Sequence, residues 1–179
     1  MNADLQPIAT AVQRVQGALK RRPELGPHDD APATARWQGG VRVVTSGADG
    51  TQVTSDMPVE LGGTGGQATP GWLFRAGMAS CAATCIVLQA AADGVALAAL
   101  DVSVGSRSDT RGLLGMPDEA GLPVSAGPAE LQVQVRIDAP GVSAQRLRTL
   151  VEDAMRCSPV PTVVQQATPL VLRLDIAGA

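Results

Sequence analysis

TPGWLFRAGMASCAATCIVLQAAADG, residues 69–94, contains two of the three cysteines in the 179-residue chain and reads as a helix bounded at both ends. Thr69 suits the N-cap, Pro70 the first helical position, where its missing N–H removes no bond, and Gly94 a left-handed stop. Between them nearly every side chain is apolar or small. The segment therefore lacks the polar face of a surface helix and is expected to run buried through the middle of the fold. Arg75, Gln89 and Asp93 interrupt it too often for a membrane span, which needs about 18–20 uninterrupted apolar residues. Positions four apart share a face, so Gly77, Cys81 and Cys85 form a stripe that also takes in Met78, Thr84 and Leu88. A cysteine so placed is either a small hydrophobe filling the core or a rigidly held thiol.

On the C-terminal side, residues 97–105 (LAALDVSVG) and 129–137 (AELQVQVRI) alternate as strands across a long connection. Residues 143–155 predict a second helix, with Ser143 as N-cap, Leu147, Leu150, Val151 and Ala154 on one face, and a stop imposed by Pro159. Residues 170–176 (LVLRLDI) predict a last alternating strand. On the N-terminal side, residues 34–46 read as one strand around Val41, Val43 and Val44, joined by turn residues 46–50 to a second at 51–55, a β-hairpin at a sheet edge. Residues 57–68 (MPVELGGTGGQA) read as a flexible approach to the helix. They match no phosphate-cradling spacing. Residues 4–22 place Leu5, Ile8, Val12, Val15 and Leu19 on one narrow helical seam, which suits packing on its own domain or on a partner subunit. Residues 23–32 form a proline-rich linker holding the single histidine, His28, as a solvated side chain.

This order predicts an α+β fold with antiparallel sheets around a buried central helix. Two regions are expected: an N-terminal helical arm and linker over 1–32, and a domain over 33–179. Hydrophobic residues make up 45% and charged residues 17%, a globular balance, and with 2% aromatics the core must be aliphatic. A net charge of −3 without basic runs argues against a nucleic-acid partner. Three cysteines are too few and too odd in number for a secreted disulfide framework. Asp4, Gln6, Gln13, Arg14 and Gln16 break up any signal-peptide core, so the cytoplasm is the expected location, with no membrane partner. A zinc site built from the three thiolates lacks a fourth ligand, which His28 is badly placed to supply.

The third cysteine, Cys157, ends the second helix. There the macrodipole disfavours a thiolate, while Arg156 beside it works the other way. It suits a thiol that condenses with an oxidised partner better than one that attacks first.

Residues 69–81 (TPGWLFRAGMASC) resemble a motif of the OsmC/Ohr peroxidases, in which a proline opens the central helix and small residues precede a reactive cysteine. Residues 156–174 (RCSPVPTVVQQATPLVLRL) resemble that family's second motif, and DTRGLLGM at 109–116 is similar to a segment of a less characterised branch. The resemblance implies an intertwined homodimer with an OsmC-like fold that reduces organic hydroperoxides or hydrogen peroxide. Cys81 would be the attacking thiol, passing through a sulfenic acid, and Cys157 the resolving thiol, forming a Cys81–Cys157 disulfide. An external dithiol would reset the pair with no bound cofactor or metal. Cys85 matches neither motif position and is assigned to packing.

Better characterised members carry a glutamate just after the helix-opening proline, where this chain has Gly71 and Trp72. They also carry an arginine before the helix that favours the thiolate, and residues 46–50 and 62–68 contain none. Arg42 and Arg111 are the candidate substitutes, since Arg75 lies about 120° around the helix from Cys81. Trp72 is assigned to the core, with a substrate pocket as the other reading. These departures keep open an alternative, a catalytically weak or inactive module binding a small apolar ligand at the dimer interface.

Overall fold

In the computed structural model, which describes residues 5–176, the chain opens with α1 (Gln6–Arg21) and a 3-10 turn (Pro23–Leu25). The seam of α1 is used within its own chain: the helix packs on α2 (Pro70–Ala92), Ala9 is buried and Leu5 joins the main core. Asp4, the expected first residue of this helix, lies outside the described residues. His28 is exposed in the linker, with Nδ1 3.0 Å from the Gly26 carbonyl oxygen.

Residues 34–46 are two strands rather than one. β1 (Thr34–Trp37) and β2 (Val43–Ser46) pair antiparallel, with Thr34 opposite Ser46, and β3 (Gln52–Ser55) pairs with β2 to complete a meander. The break comes at Gly39 and Gly40, whose φ values of +101° and +55° only glycine adopts readily. The valine pattern alone does not reveal it.

The approach to α2 is built rather than flexible. Asp56, 3% exposed, accepts from the Met57 N–H at 2.8 Å and the Thr64 N–H at 2.9 Å, and from the Thr64 hydroxyl at 2.6 Å. It folds residues 57–64 around one carboxylate, with a 3-10 turn (Val59–Leu61) inside the loop. Its own N–H donates to the Ala68 carbonyl at 3.1 Å, tying the meander to the start of α2.

α2 begins and ends as its sequence indicates. The Thr69 hydroxyl accepts from the Trp72 N–H at 3.2 Å. At the other end Gly94, at φ +67°, donates to the Ala91 carbonyl and Val95 to the Ala90 carbonyl, the paired bonds of a Schellman motif. One face is buried along Met78, Ala82, Ile86 and Ala90, a single i, i+4 stripe. The opposite face, through Gly77, Ser80, Thr84 and Leu88, is exposed, Leu88 to 41%. A central helix buried all round is therefore corrected to one covered on one side, because a single chain supplies packing partners to that side only.

That cover comes from β4 (Ala99–Arg107), α4 (Ala144–Arg156), α5 (Pro159–Gln165) and α1. β4 and β5 (Ala129–Asp138) form a long antiparallel ribbon, Val102 opposite Val135, whose alternating burial puts one face on the core. α3 (Thr110–Leu113) lies in their connection. α4 is capped by the Ser143 hydroxyl, which accepts from the Arg146 N–H, and its Leu150 and Ala154 meet Ile86, Ala90 and Leu97 in the core. Pro159 ends α4 but also starts α5, where only a stop is expected from the sequence. Residues 170–176 take no strand partner among the described residues, and Leu170, Leu172, Leu174 and Ile176 are all exposed.

Leu150 is fully enclosed, so Leu150→Ala is expected to cost about 2–5 kcal/mol in urea unfolding. The Thr64 hydroxyl, then the Thr64 and Met57 N–H groups, hold the Asp56 carboxyl below its ordinary 3.8. A depressed carboxyl contributes stability that is complete above its unfolded value and lost as pH falls through the lowered folded one. Asp56→Ala is thus expected to lower the melting temperature at pH 7, with a deficit that narrows below pH 3.8.

Candidate thiol site

Cys81 and Cys85 stand one turn apart on α2, each immediately before a residue of the buried stripe, Ala82 and Ile86. Their backbone positions are therefore set by core packing, and both thiols are half-buried. The second element of the site is the junction of α4 and α5. Cys157 is the C-cap of α4, donating its N–H to the Ala154 carbonyl at 3.1 Å, and its side chain is exposed. Ser158 follows as the N-cap residue of α5 and is fully buried.

Two contacts join these elements. The Ser158 hydroxyl lies 3.3 Å from Cys81 Sγ, and the Cys85 thiol donates to the Cys157 carbonyl oxygen at 3.7 Å. The second uses a carbonyl that a helix end leaves without an intrahelical partner. Burial pushes the Cys85 thiol above its ordinary value. The nearby Ser158 hydroxyl opposes that rise, and the sulfurs of Cys81 and Cys157 reinforce it. All three cysteines thus belong to one neighbourhood, although the side chain that the junction turns onto Cys81 is that of Ser158. The sequence marks Ser158 only as part of the helix end before Pro159. A serine before proline after a helix is a usable N-cap signal, but nothing in it tells where the hydroxyl points.

Two of the arginines are paired with carboxylates, while Arg42 only weakly lowers the Asp56 carboxyl through its charge. Arg111 is clamped by Asp109, its Nη2 2.6 Å from Oδ2 and its Nε 3.1 Å from Oδ1, and this guanidinium pulls the Asp109 carboxyl down to about 2. Arg156, beside Cys157 in sequence, pairs with Asp153. Trp72 is exposed in the first turn of α2 rather than buried in the core. No set of three His, Cys, Asp or Glu side chains able to hold a metal occurs among the described residues.

An apolar cavity of about 560 Å³ flanks the first turns of α2, lined by Met57, Leu61, Phe74, Arg75 and Leu113 among others. Arg75 reaches Ser106 Oγ at 3.4 Å there. Cys81 lies about 9 Å further along the helix axis from Arg75, at 1.5 Å per residue.

Residues 63–173 match a family described as OsmC-like protein. Solved structures with the same fold include an OsmC-like protein from Mycoplasma pneumoniae (18% identity, TM-score 0.64, covering 78% of this chain and 89% of that one). An organic hydroperoxide resistance protein OsmC from Legionella pneumophila is similar (23%, 0.55, 77% and 92%), as is an organic hydroperoxide resistance protein from Elizabethkingia anophelis (23%, 0.55, 78% and 90%). No curated protein gives a significant match.

Because Cys157 is exposed and Cys85 is half-buried with a raised thiol, iodoacetamide at pH 8 is expected to label Cys85 at least about tenfold more slowly than Cys157. Peptide mapping measures the ratio, and urea should abolish it.

Proposed function

The chain belongs to the OsmC-like protein family, and on that premise we propose that it is a thiol-dependent peroxidase reducing organic hydroperoxides or hydrogen peroxide. The observation that carries this reading is the convergence of three thiols and a buried hydroxyl from two elements more than seventy residues apart, at the contacts Ser158–Cys81 and Cys85–Cys157. Relatives by fold named for organic hydroperoxide resistance support it.

In the proposed cycle the Cys81 thiolate attacks the distal peroxide oxygen. An S–O bond forms, the O–O bond breaks, and the alkoxide leaves and takes a proton from water to become the alcohol. The Cys157 thiolate then attacks the sulfur of the sulfenic acid, forming the Cys81–Cys157 disulfide and releasing hydroxide, which is protonated to water. Because Ser158 now faces Cys81, this step requires the α4–α5 junction to turn Cys157 inward. An external dithiol returns both thiols by two exchange steps, becoming a disulfide itself. No bound cofactor enters, and the proposed location is the cytoplasm, without nucleic-acid or membrane partners.

The proposed assembly is an intertwined homodimer. Its support is the uncovered face of α2 together with residues 170–176, an alternating apolar segment left exposed along its length. Strand addition to a second copy would satisfy that segment's backbone and cover its side chains.

A second reading, a module binding a small apolar ligand without turnover, draws on the cavity beside Phe74 and Arg75 and on the pairing of Arg111 with Asp109. One equivalent of cumene hydroperoxide separates the two. The peroxidase should lose two thiols per chain and regain them with dithiothreitol. Cys81→Ser should lose none, and Cys157→Ser should leave a sulfenic acid that dimedone traps. An unchanged thiol count in the unaltered protein rules the peroxidase out. Deleting residues 170–176 should shift the sedimentation coefficient from dimer to monomer.

A further inference from the structure

We propose that Ser158 is a positioning residue that holds Cys81 in its ionised form through a hydroxyl-to-sulfur hydrogen bond. The proposal rests on the reading of Cys81 as the attacking thiol. It begins with an irregularity among the helix caps. Three α-helices start at a hydroxyl residue whose backbone is extended: Thr69, Ser143 and Ser158. Thr69 and Ser143 turn their oxygens onto their own helices, each accepting a backbone N–H at 3.2 Å. Ser158 makes no such bond. Its hydroxyl is fully buried and lies 3.3 Å from Cys81 Sγ, a residue 77 positions away.

A hydroxyl has one proton, and when it donates to sulfur the bond is much stronger to a thiolate than to a thiol. Hydrogen bonding to the charged form favours that form. The surroundings divide the two α2 thiols into different roles. Cys85 spends its own proton on the Cys157 carbonyl, and burial pushes it up by more than the nearby Ser158 hydroxyl lowers it. Cys81 is the sulfur to which that hydroxyl donates. The other ionisable groups around the site do not compete for that role. Cys157 is an exposed thiol at the end of α4, and Arg156 is taken by Asp153. Arg111 is paired with Asp109. A buried neutral donor thus stands in the place where a cation is otherwise expected.

Iodoacetamide alkylation of Cys81, read by peptide mapping across pH in the full chain without peroxide, tests the proposal. Ser158→Ala removes no cap bond, so the fold should persist, as a melting curve checks. Its Cys81 profile should move to higher pH and its labelling rate at pH 7 should fall about tenfold, the ratio that one pKa unit carries. Ser158→Thr, which keeps the hydroxyl, should restore the original profile. An unchanged profile in folded Ser158→Ala overturns the proposal. Should that variant fail to fold, Ser158→Cys decides: a diamide-induced disulfide between the introduced thiol and Cys81 supports the contact, and its absence overturns it. Because no peroxide is used, a shifted profile in a protein that never reduces hydroperoxide would remove only the peroxidase reading. Turnover with an unshifted profile would remove only this one.

Discussion

The close packing of α4 against the alanine-bearing stripe of α2 is the constraint on which the site depends. Ala82, Ile86 and Ala90 on one helix and Leu150 and Ala154 on the other are all buried to within 1% of complete exclusion. Alanines on both faces let the two helices approach closely, and the larger Ile86 and Leu150 fill the space that remains. Since Cys81 and Cys85 each precede a residue of that stripe, core packing sets the thiols' backbone positions without either thiol being consumed by it. The same contact brings the end of α4, and with it Cys157 and Ser158, to α2.

Asp109 with Arg111 and Asp153 with Arg156 are pairs two or three residues apart, whereas Arg146 with Asp93 and Arg107 with Glu130 link distant segments. Such pairs contribute little to stability at the surface, but they engage the Arg111 and Arg156 guanidinium groups with carboxylates. What remains at Cys81 is a hydroxyl. That contact ties the chemistry proposed for Cys81 to the geometry of one helix junction.

Exposed apolar residues lie on the outer face of α2, in the β1–β3 meander and along residues 170–176, among other places. In the proposed dimer the outer face of α2 and residues 170–176 are covered, and the cavity beside Phe74 flanks the same helix. The redox and ligand-binding readings therefore share the same scaffold and differ only in whether Cys81 reacts.

Features governed by neighbours within one turn or one strand were legible in the amino-acid order. Thr69, Pro70 and Gly94 bound α2, Ser143 caps α4, and the alternation of β4 and β5 sets their inner faces, because caps and periodicity are short-range properties. The spacing of Cys81 and Cys85 on one helix face was legible for the same reason. Less local matters were not. The valines of residues 34–46 look alike on either side of the turn at Gly39 and Gly40, and the role of Asp56 depends on Thr64, eight residues on. The orientation of Ser158 depends on how two helices meet across 77 positions. Sequence alone placed a thiol on a central helix and a second near the end of another. Only the tertiary structure decided that a serine hydroxyl, rather than the neighbouring cysteine, faces the first thiol, because the direction of a side chain at a helix junction is set by packing.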